Sequence, residues 1–180
     1  MSTLHDDLLE MYERRATGRY GLEHVSQLQH ALQTAAQAER VGAAPALALA
    51  CLLHDVGHLV HKLGENPAAQ GVDDMHEVLG AKWLAKRGLP PAVTEPVRLH
   101  VAAKRYLCGT EPDYFGKLAP DSVLSLSLQG GPMSTEEAVA FRAQPFAADA
   151  VALRRFDEAA KNPHAQTPDA AHYLKLLDAL

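Results

Sequence analysis

Several histidine and aspartate residues occur in an order that could form a metal site, and the most compact group is His54-Asp55. His58 follows four residues after His54, so on a continuous helix the two imidazoles would share a face beside a carboxylate. Such a mixture of nitrogen and oxygen ligands suits a transition metal. A helix C-terminus explains this segment equally well on its own, with the histidines favoured by the helix dipole and Gly57 as a turn.

The remaining candidate ligands lie on or at the ends of other predicted helices. They are His30, His76, His100 and Asp157. Together with His54 and Asp55 they offer more imidazoles and carboxylates than one four-coordinate ion needs. All-α proteins build such sites from inward-facing side chains of several helices. The set therefore indicates two metal ions bridged by Asp55, and its nitrogen-rich composition favours iron, manganese or cobalt over magnesium.

Hydrophobic periodicity and capping signals predict one all-α domain over residues 1–180, a compact helical bundle with a dinuclear metal site at its centre. Helices are predicted at 3–15, 23–41, from 45 through the His-Asp pair, 75–87, 90–106, 136–143, 147–161 and 168–180. Long loops are predicted at 61–74 and 107–122. Residues 123–128 could pass for a strand, but no partner strand is visible, so a short helical or irregular segment is preferred.

Composition excludes several classes of function. The net charge is −5 and the basic residues are scattered, which argues against nucleic acid or a membrane surface as a partner. No apolar run reaches the roughly 18 residues of a membrane-spanning helix, and the polar start does not resemble a signal peptide. Cys51 and Cys108 form no CxxC motif, and Cys51 is expected to be a buried small hydrophobe. We expect a cytoplasmic protein, and nothing indicates its oligomeric state.

The order H…HD…H…H…D resembles that of the HD-domain superfamily over most of the chain. Three further motifs resemble one branch, the PhnZ-type oxygenases. The segment from Tyr20 to His30 is similar to their Y-x-x-E-x-V-S-Q-x-x-H opening, and His100-x-x-x-Lys104 is similar to their histidine–lysine pair. The serines that precede Gln129-Gly130-Gly131-Pro132 are similar to the serine-rich stretch before their Q-G-G-P segment.

This resemblance implies an enzyme with a mixed-valent Fe(II)/Fe(III) centre and O2 as co-substrate, which cleaves the carbon–phosphorus bond of a small hydroxylated organophosphonate. It implies that one iron is held by His30, His54, Asp55 and Asp157, and the other by Asp55, His76 and His100. The substrate would be 1-hydroxy-2-aminoethylphosphonate, giving phosphate and glycine, or an N-methylated analogue such as 1-hydroxy-2-(trimethylammonio)ethylphosphonate, giving glycine betaine. The shortage of aromatic residues favours the primary or a lightly methylated amine, because a quaternary ammonium prefers aromatic walls.

The resemblance also implies roles around the substrate. Tyr20 would occupy the second iron until substrate displaces it, and Glu23 would bind the substrate amine. The phosphonate would be bound by Lys104, His58, Ser122, Ser125 and Gln129. His58, Tyr20 and Glu23 are the expected catalytic residues. These residue types suit the task, because a phosphonate dianion needs a cation and several hydrogen-bond donors.

Other interpretations stay open at this point. A metal-dependent HD phosphohydrolase acting on a nucleotide or phosphomonoester would share every metal ligand, and a non-catalytic regulatory HD module would share the fold. Lys104 could be a solvated helix lysine, and Asp157 could pair with Arg154 or Lys161 on its own helix. Trp83 and Phe156 are expected in the core. No role is predicted for His5, His24, His61, His164 and His172, for which surface or capping positions are expected.

Overall fold

The computed structural model describes residues 3–18, 24–61, 63 and 67–180. Within these residues the chain forms ten α-helices and no strand, which confirms the all-α prediction. The helices are α1 (Leu4–Arg15), α2 (Gln27–Arg40), α3 (Pro45–Leu53), α4 (Val56–Val60), α5 (His76–Ala85), α6 (Pro91–Thr110), α7 (Pro120–Leu128), α8 (Thr135–Arg142), α9 (Ala147–Ala159) and α10 (Ala170–Leu174). Short 3-10 helices occur at Ala68–Gln70, Phe115–Lys117 and Lys175–Ala179. In this part of the chain, no helix combines the length and the apolar character needed to cross a bilayer.

Local sequence signals account for many of the helix starts. Thr3, Ser26 and Ser134 cap α1, α2 and α8, each in a reciprocal capping box with the residue three positions later. The box at Ser134 is the one predicted from the sequence. Three other helices, α3, α6 and α7, begin with proline, whose missing N–H costs nothing at the first helical position.

Helix α3 lies at the centre of the fold and packs against α2, α6 and α9. Its sequence is apolar on every side, and every residue from Ala48 to Leu53 is buried. A helix that is hydrophobic all round is stable only when other helices surround it. Cys51 is part of this buried segment, as predicted. Since α3 ends at Leu53, it delivers the next two residues, His54 and Asp55, into the middle of the protein.

Several element boundaries differ from the sequence predictions. Helix α6 continues to Thr110, and α7 already begins at Pro120, so the loop predicted at 107–122 shrinks to a short connection. The segment at 123–128 belongs to α7 and is helical. Helix α2 begins only after its cap at Ser26, and the predicted C-terminal helix divides into α10 and a 3-10 helix. Trp83 and Phe156 are partly buried and pack against the core rather than lying within it.

Candidate metal centre

The helix that carries the His-Asp pair is interrupted at that pair. Helix α3 ends at Leu53, Asp55 leaves the helical conformation with φ −100° and ψ 11°, and α4 begins at Val56. The continuous helix considered from the spacing is therefore absent. As a result His54 and His58 have different surroundings: His54 is completely buried, whereas the His58 side chain is 21% exposed.

Two clusters of potential ligand atoms meet at Asp55. In the first, His30 Nε2 lies 3.2 Å from both His54 Nε2 and Asp157 Oδ1. In the second, His76 Nε2 lies 3.2 Å from His100 Nε2. Asp55 presents Oδ2 to the first cluster, 3.3 Å from His54 Nε2, and Oδ1 to the second, 3.4 Å from His76 Nε2. Ligand atoms bound about 2.1 Å from one ion lie roughly 3.0–3.4 Å apart, so both clusters have the spacing of a metal site.

The hydrogen bonds of the four imidazoles direct their lone pairs to the centre of each cluster. In every case Nδ1 faces an oxygen that can only accept a hydrogen bond, so Nδ1 carries the proton. The acceptors are the carbonyl oxygens of Ala160 for His30 (2.9 Å), Cys51 for His54 (2.8 Å) and Val97 for His100 (2.7 Å), and Asp74 Oδ1 for His76 (2.8 Å). Each Nε2 then presents a lone pair to its neighbour 3.2 Å away. Such an arrangement is repulsive unless a proton or a metal cation lies between the two nitrogens.

Two carboxylate oxygens support the same interpretation. Asp55 Oδ2 and Asp157 Oδ1 are buried and have no hydrogen-bond partner among the described residues. An unpaired buried anionic oxygen is costly unless a cation compensates it. The donor set of this site therefore fits two bound metal ions, one for each cluster.

Electrostatics favour the metal-binding protonation state of Asp55, Asp157 and His100. At His54 and His76 burial lowers the pKa, but neighbouring carboxylates outweigh this effect and raise it. Burial raises the pKa of Asp55, but His54, His58 and His76 outweigh this effect and hold it well below its usual range. Burial and the neighbouring His76 lower the pKa of His100, which is therefore neutral. For His76, burial lowers the pKa, but Asp74 and Asp55 raise it to about 9. A metal at Nε2 of His76 would take the place of that proton.

A close helix crossing brings His76 to Asp55. Gly57 lies inside α4, where a Cβ atom would be only 1.9 Å from the carbonyl oxygen of His76. On the facing helix α5, a Cβ at Gly80 would lie 3.0 Å from the backbone nitrogen of Gly57. The two backbones are thus in direct contact, which only glycine allows. The interpretation of Gly57 as a turn is wrong: its small size, not a turn conformation, explains its presence.

A cavity of about 100 Å³ lies beside the second cluster. Asp55, His76 and His100 contribute to its wall, together with five residues that the family resemblance assigned to the phosphonate: His58, Lys104, Ser122, Ser125 and Gln129. The structure therefore brings these predicted residues together on one cavity. Tyr20 and Glu23 lie outside the described residues. Among the described residues that line the cavity, none is phenylalanine, tyrosine or tryptophan.

Lys104 is buried on the inner face of α6, with only 4% of its surface exposed. The interpretation as a solvated helix lysine is therefore wrong. Its Nζ donates a hydrogen bond to Ser125 Oγ over 2.7 Å. Burial and the nearby Arg154 lower the pKa of Lys104 to about 7. A buried cation that donates a hydrogen bond to a neutral hydroxyl is suited to an anionic ligand.

Arg154 is a second buried cation in the cavity wall, and sequence reasoning considered it only as a partner of Asp157. That ion pair is present, and Arg154 also pairs with Glu158. Pairing does not remove Asp157 from the candidate metal site, because Oδ2 contacts Arg154 while Oδ1 faces His30. The guanidinium also donates to Ser122 Oγ over 3.3 Å. The sequence signal that could have placed Arg154 near the site is its position three residues before the candidate ligand Asp157.

The Gly130-Gly131 pair ends α7 and fixes the position of Gln129. Both glycines have positive φ values, 99° and 70°, which side chains rarely allow. Arg105 holds this turn against α6, since its Nε donates to the carbonyl oxygen of Gly131 over 2.8 Å. Its other donor, Nη2, pairs with Glu137 on α8 over 2.9 Å. Arg105 follows Lys104 in sequence on α6, and through its bond to Gly131 it helps to position the cavity residue Gln129.

Of the histidines without a predicted role, His61 is the exception to the expected surface positions. Its Nε2 lies 2.9 Å from Asp74 Oδ2, and its side chain is almost completely buried. His24 and His164 are exposed, and His172 pairs with Glu39 at the surface over 2.8 Å. Asp74 was expected only to precede a helix, and its contacts with several imidazoles were not predicted.

Fold and site together define a class: helical proteins with paired His/Asp clusters at the end of a buried central helix. The model of the HD domain family matches residues 28–180, and the chain belongs to that family. Among curated proteins, it is 39% identical over 170 residues to [1-hydroxy-2-(trimethylamino)ethyl]phosphonate dioxygenase (glycine-betaine-forming) from Leisingera caerulea, covering 94% of this chain and 86% of that protein. It is 44% identical over 152 residues to hydroxymethylphosphonate dioxygenase from Gimesia maris, covering 84% of this chain and 75% of that protein.

Proposed function

We propose that this protein is a di-iron dioxygenase that uses O2 to cleave the carbon–phosphorus bond of a small 1-hydroxyphosphonate. The observation that carries this proposal is a cavity directly beside the paired His/Asp clusters, whose wall includes the buried cations Lys104 and Arg154 and the hydroxyls of Ser122 and Ser125. Both relatives described above are named as dioxygenases of phosphonates that carry a hydroxyl on the carbon next to phosphorus. The chain matches most of each relative, so the comparison covers the whole catalytic region rather than one motif.

The two clusters would hold the metal ions. His30, His54, Asp157 and Oδ2 of Asp55 would bind one iron, and Oδ1 of Asp55 with His76 and His100 would bind the other. When bound, the irons supply the redox chemistry and a template for substrate and O2. Imidazole and carboxylate ligands suit iron, and the lone-pair geometry described above supports a cation in each cluster.

The phosphonate would bind where the cavity wall is most cationic. Lys104 contributes a point charge and Arg154 a planar guanidinium, and both are almost completely buried. Ser122, Ser125 and Gln129 complete the anion site with hydrogen-bonding groups. The low surrounding polarity strengthens these charge-assisted hydrogen bonds relative to water.

His58 would act at the reacting end of the substrate. Its Nδ1 donates to Asp74 Oδ2 over 2.7 Å, which leaves Nε2 as the free acceptor on the cavity side, 3.9 Å from Asp55 Oδ1. The roles proposed for Tyr20 and Glu23 rest on the sequence motif: Tyr20 as a displaceable iron ligand and Glu23 as the residue that binds the substrate amine.

The proposed reaction is balanced without an external reductant. The C–P bond breaks, one oxygen atom of O2 joins the carbon to give a carboxylate, and the other joins phosphorus to give inorganic phosphate. The absence of phenylalanine, tyrosine and tryptophan among the described cavity residues supports the primary amine, 2-amino-1-hydroxyethylphosphonate, over its trimethylated form. Glycine would then be the carbon product.

The test measures phosphate release by iron-loaded protein, with and without O2. The substrates are 2-amino-1-hydroxyethylphosphonate, its trimethylated form and hydroxymethylphosphonate. We expect phosphate only when O2 is present, with one O2 consumed per phosphate. Phosphate release from a phosphomonoester in the absence of O2, with manganese in place of iron and no turnover of any phosphonate, would instead identify an HD phosphohydrolase.

A further inference from the structure

The carboxylate of Asp74 accepts hydrogen bonds from three imidazoles at the wall of the cavity. Its Oδ1 receives Nδ1 of His76 over 2.8 Å and the backbone N–H of the same residue over 3.3 Å. Its Oδ2 receives Nδ1 of His58 over 2.7 Å and Nε2 of His61 over 2.9 Å. Only 9% of Asp74 is exposed, so these contacts are largely shielded from water.

We propose that Asp74 is a positioning residue that holds His76 and His58 in the tautomers and orientations required by the second metal site and the cavity. This inference rests on the two-metal centre of the proposed function. Asp74 has no atom in either cluster around Asp55, and it groups instead with His58 and His76, whose Nδ1–H groups donate to it. Carboxylates that accept the second N–H of a ligating histidine orient the ring and raise its basicity.

A difference among the four candidate histidine ligands supports this assignment. His30, His54 and His100 each donate from Nδ1 to a backbone carbonyl, which no side-chain substitution can remove. Among the Nδ1 contacts between described residues, that of His76 is the one made to a side chain. The second metal site therefore contains one imidazole whose orientation depends on a replaceable carboxylate.

The hydrogen bonds also define the tautomers of the other two rings. The backbone N–H of Leu63 donates to His61 Nδ1 over 3.2 Å, so Nε2 of His61 carries the proton that Asp74 receives. His58 uses its Nδ1 proton for Asp74, so its Nε2 lone pair is left for the cavity. The His58 ring stacks on His76 with 4.0 Å between centroids and 22° between planes. Because the rings are stacked and share one acceptor, a change at Asp74 affects both.

The decisive variant is Asp74→Asn, which keeps the shape of the side chain but replaces one acceptor oxygen with an amide NH2. In either orientation that NH2 faces at least one imidazole N–H, which forces a ring to turn or change tautomer. We expect wild-type protein to bind two Fe(II) ions per chain. Asp74→Asn should retain one ion and bind the second at least about ten-fold more weakly. The measurements are iron per chain after desalting and calorimetric titration of the apoprotein with Fe(II) under anaerobic conditions.

Glu77→Gln is the matched control. Glu77 is a buried carboxyl next in sequence to His76, but its Oε2 lies 3.9 Å from His76 Nδ1, beyond hydrogen-bond distance. This variant removes a comparable charge close to the same ring without removing a hydrogen bond to it. We expect it to bind both ions within about three-fold of wild type. Equal losses in the two variants would show that charge, not positioning, controls the second ion and would overturn the proposal.

The remaining outcomes separate the proposal from the function on which it rests. A wild-type protein that binds fewer than two ions contradicts the proposed function. Wild-type binding of two ions with unchanged binding in Asp74→Asn contradicts the role of Asp74 alone. If Asp74→Asn does not fold, ¹⁵N-histidine NMR of zinc-loaded wild type decides. We expect His58 and His76 to carry their protons on Nδ1, and a proton on Nε2 of either ring would refute the proposal.

Discussion

Replacing Gly57 with alanine tests whether helix contact, rather than helix propensity, governs this part of the site. Alanine is favoured over glycine within a helix by about 1 kcal/mol, so propensity alone predicts a more stable protein. In the structure the new Cβ would lie 1.9 Å from the carbonyl oxygen of His76, whereas Cβ contacts under 3.0 Å are essentially never seen. Helix α5 must therefore move away by at least roughly 1 Å, while metal–ligand distances tolerate only about 0.2 Å.

We expect the displacement to remove the second metal ion and to spare the first. Overpacking of this kind costs about 1–3 kcal/mol, against a gain of about 1 kcal/mol in helix propensity, so the net loss of stability is up to about 2 kcal/mol. The melting temperature of Gly57→Ala should therefore fall by up to roughly 8 °C for a chain of this size. Iron per chain should decrease from two ions to one, because His76 leaves its position 3.4 Å from Asp55.

The assay compares iron content and thermal unfolding in Gly57→Ala and in the control Gly116→Ala. At Gly116 a Cβ would meet no atom within 4 Å, so this control should keep both ions and the wild-type melting temperature. A Gly57→Ala protein with two ions and equal or greater stability would refute the close backbone contact. A loss of both ions would show that the clusters are not separable in the way the geometry indicates.

Three further predictions concern the shared ligand and the anion site. Asp55→Ala should abolish binding of both ions, measured as iron per chain, because Asp55 offers one oxygen to each cluster; retention of one tightly bound ion would contradict the bridging role. Lys104→Ala should keep its iron but lose affinity for the phosphonate. Since the pKa of Lys104 is about 7, the lysine is charged below that pH and neutral above it. The dissociation constant of a phosphonate should therefore increase as pH rises through 7, and Lys104→Arg should remove this increase. Arg105→Ala should raise KM several-fold with little change in kcat, because it releases the turn after Gln129, whereas Glu137→Gln keeps the bond to Gly131 and should have little effect.

Local sequence patterns were sufficient for part of the fold because they act over a few residues. The capping box at Ser134 was read correctly, since it depends only on residues three apart. The uniformly apolar composition of α3 likewise indicated burial without any knowledge of its neighbours. Helix ends were less predictable. Helix α6 extends four residues beyond the expected end at 106, and it includes Gly109, so the glycine does not end it.

The sequence by itself determined the residue types and order from which the site is built. His30, the His54-Asp55 pair and His100 were identifiable together because a two-metal centre needs several imidazoles and carboxylates. Lys104 was assigned to the phosphonate only by the family resemblance. The family resemblance also grouped the candidate metal ligands in the same sets that the structure brings together. Residue spacing alone could not group these residues, because spacing predicts only which side chains share a face of one helix. The residues of this site come from several helices.

Only the tertiary structure decided how these residues are held. The contact of Gly57 with α5 and the Ala160 carbonyl oxygen that orients His30 depend on residues from other elements. By contrast, His54 and His100 donate to carbonyl oxygens only three residues earlier in the chain. Asp74 and Arg154 have partners on other elements as well as their own. The physical reason is that hydrogen-bond acceptors and close packing surfaces are supplied by the folded backbone, which no local pattern specifies.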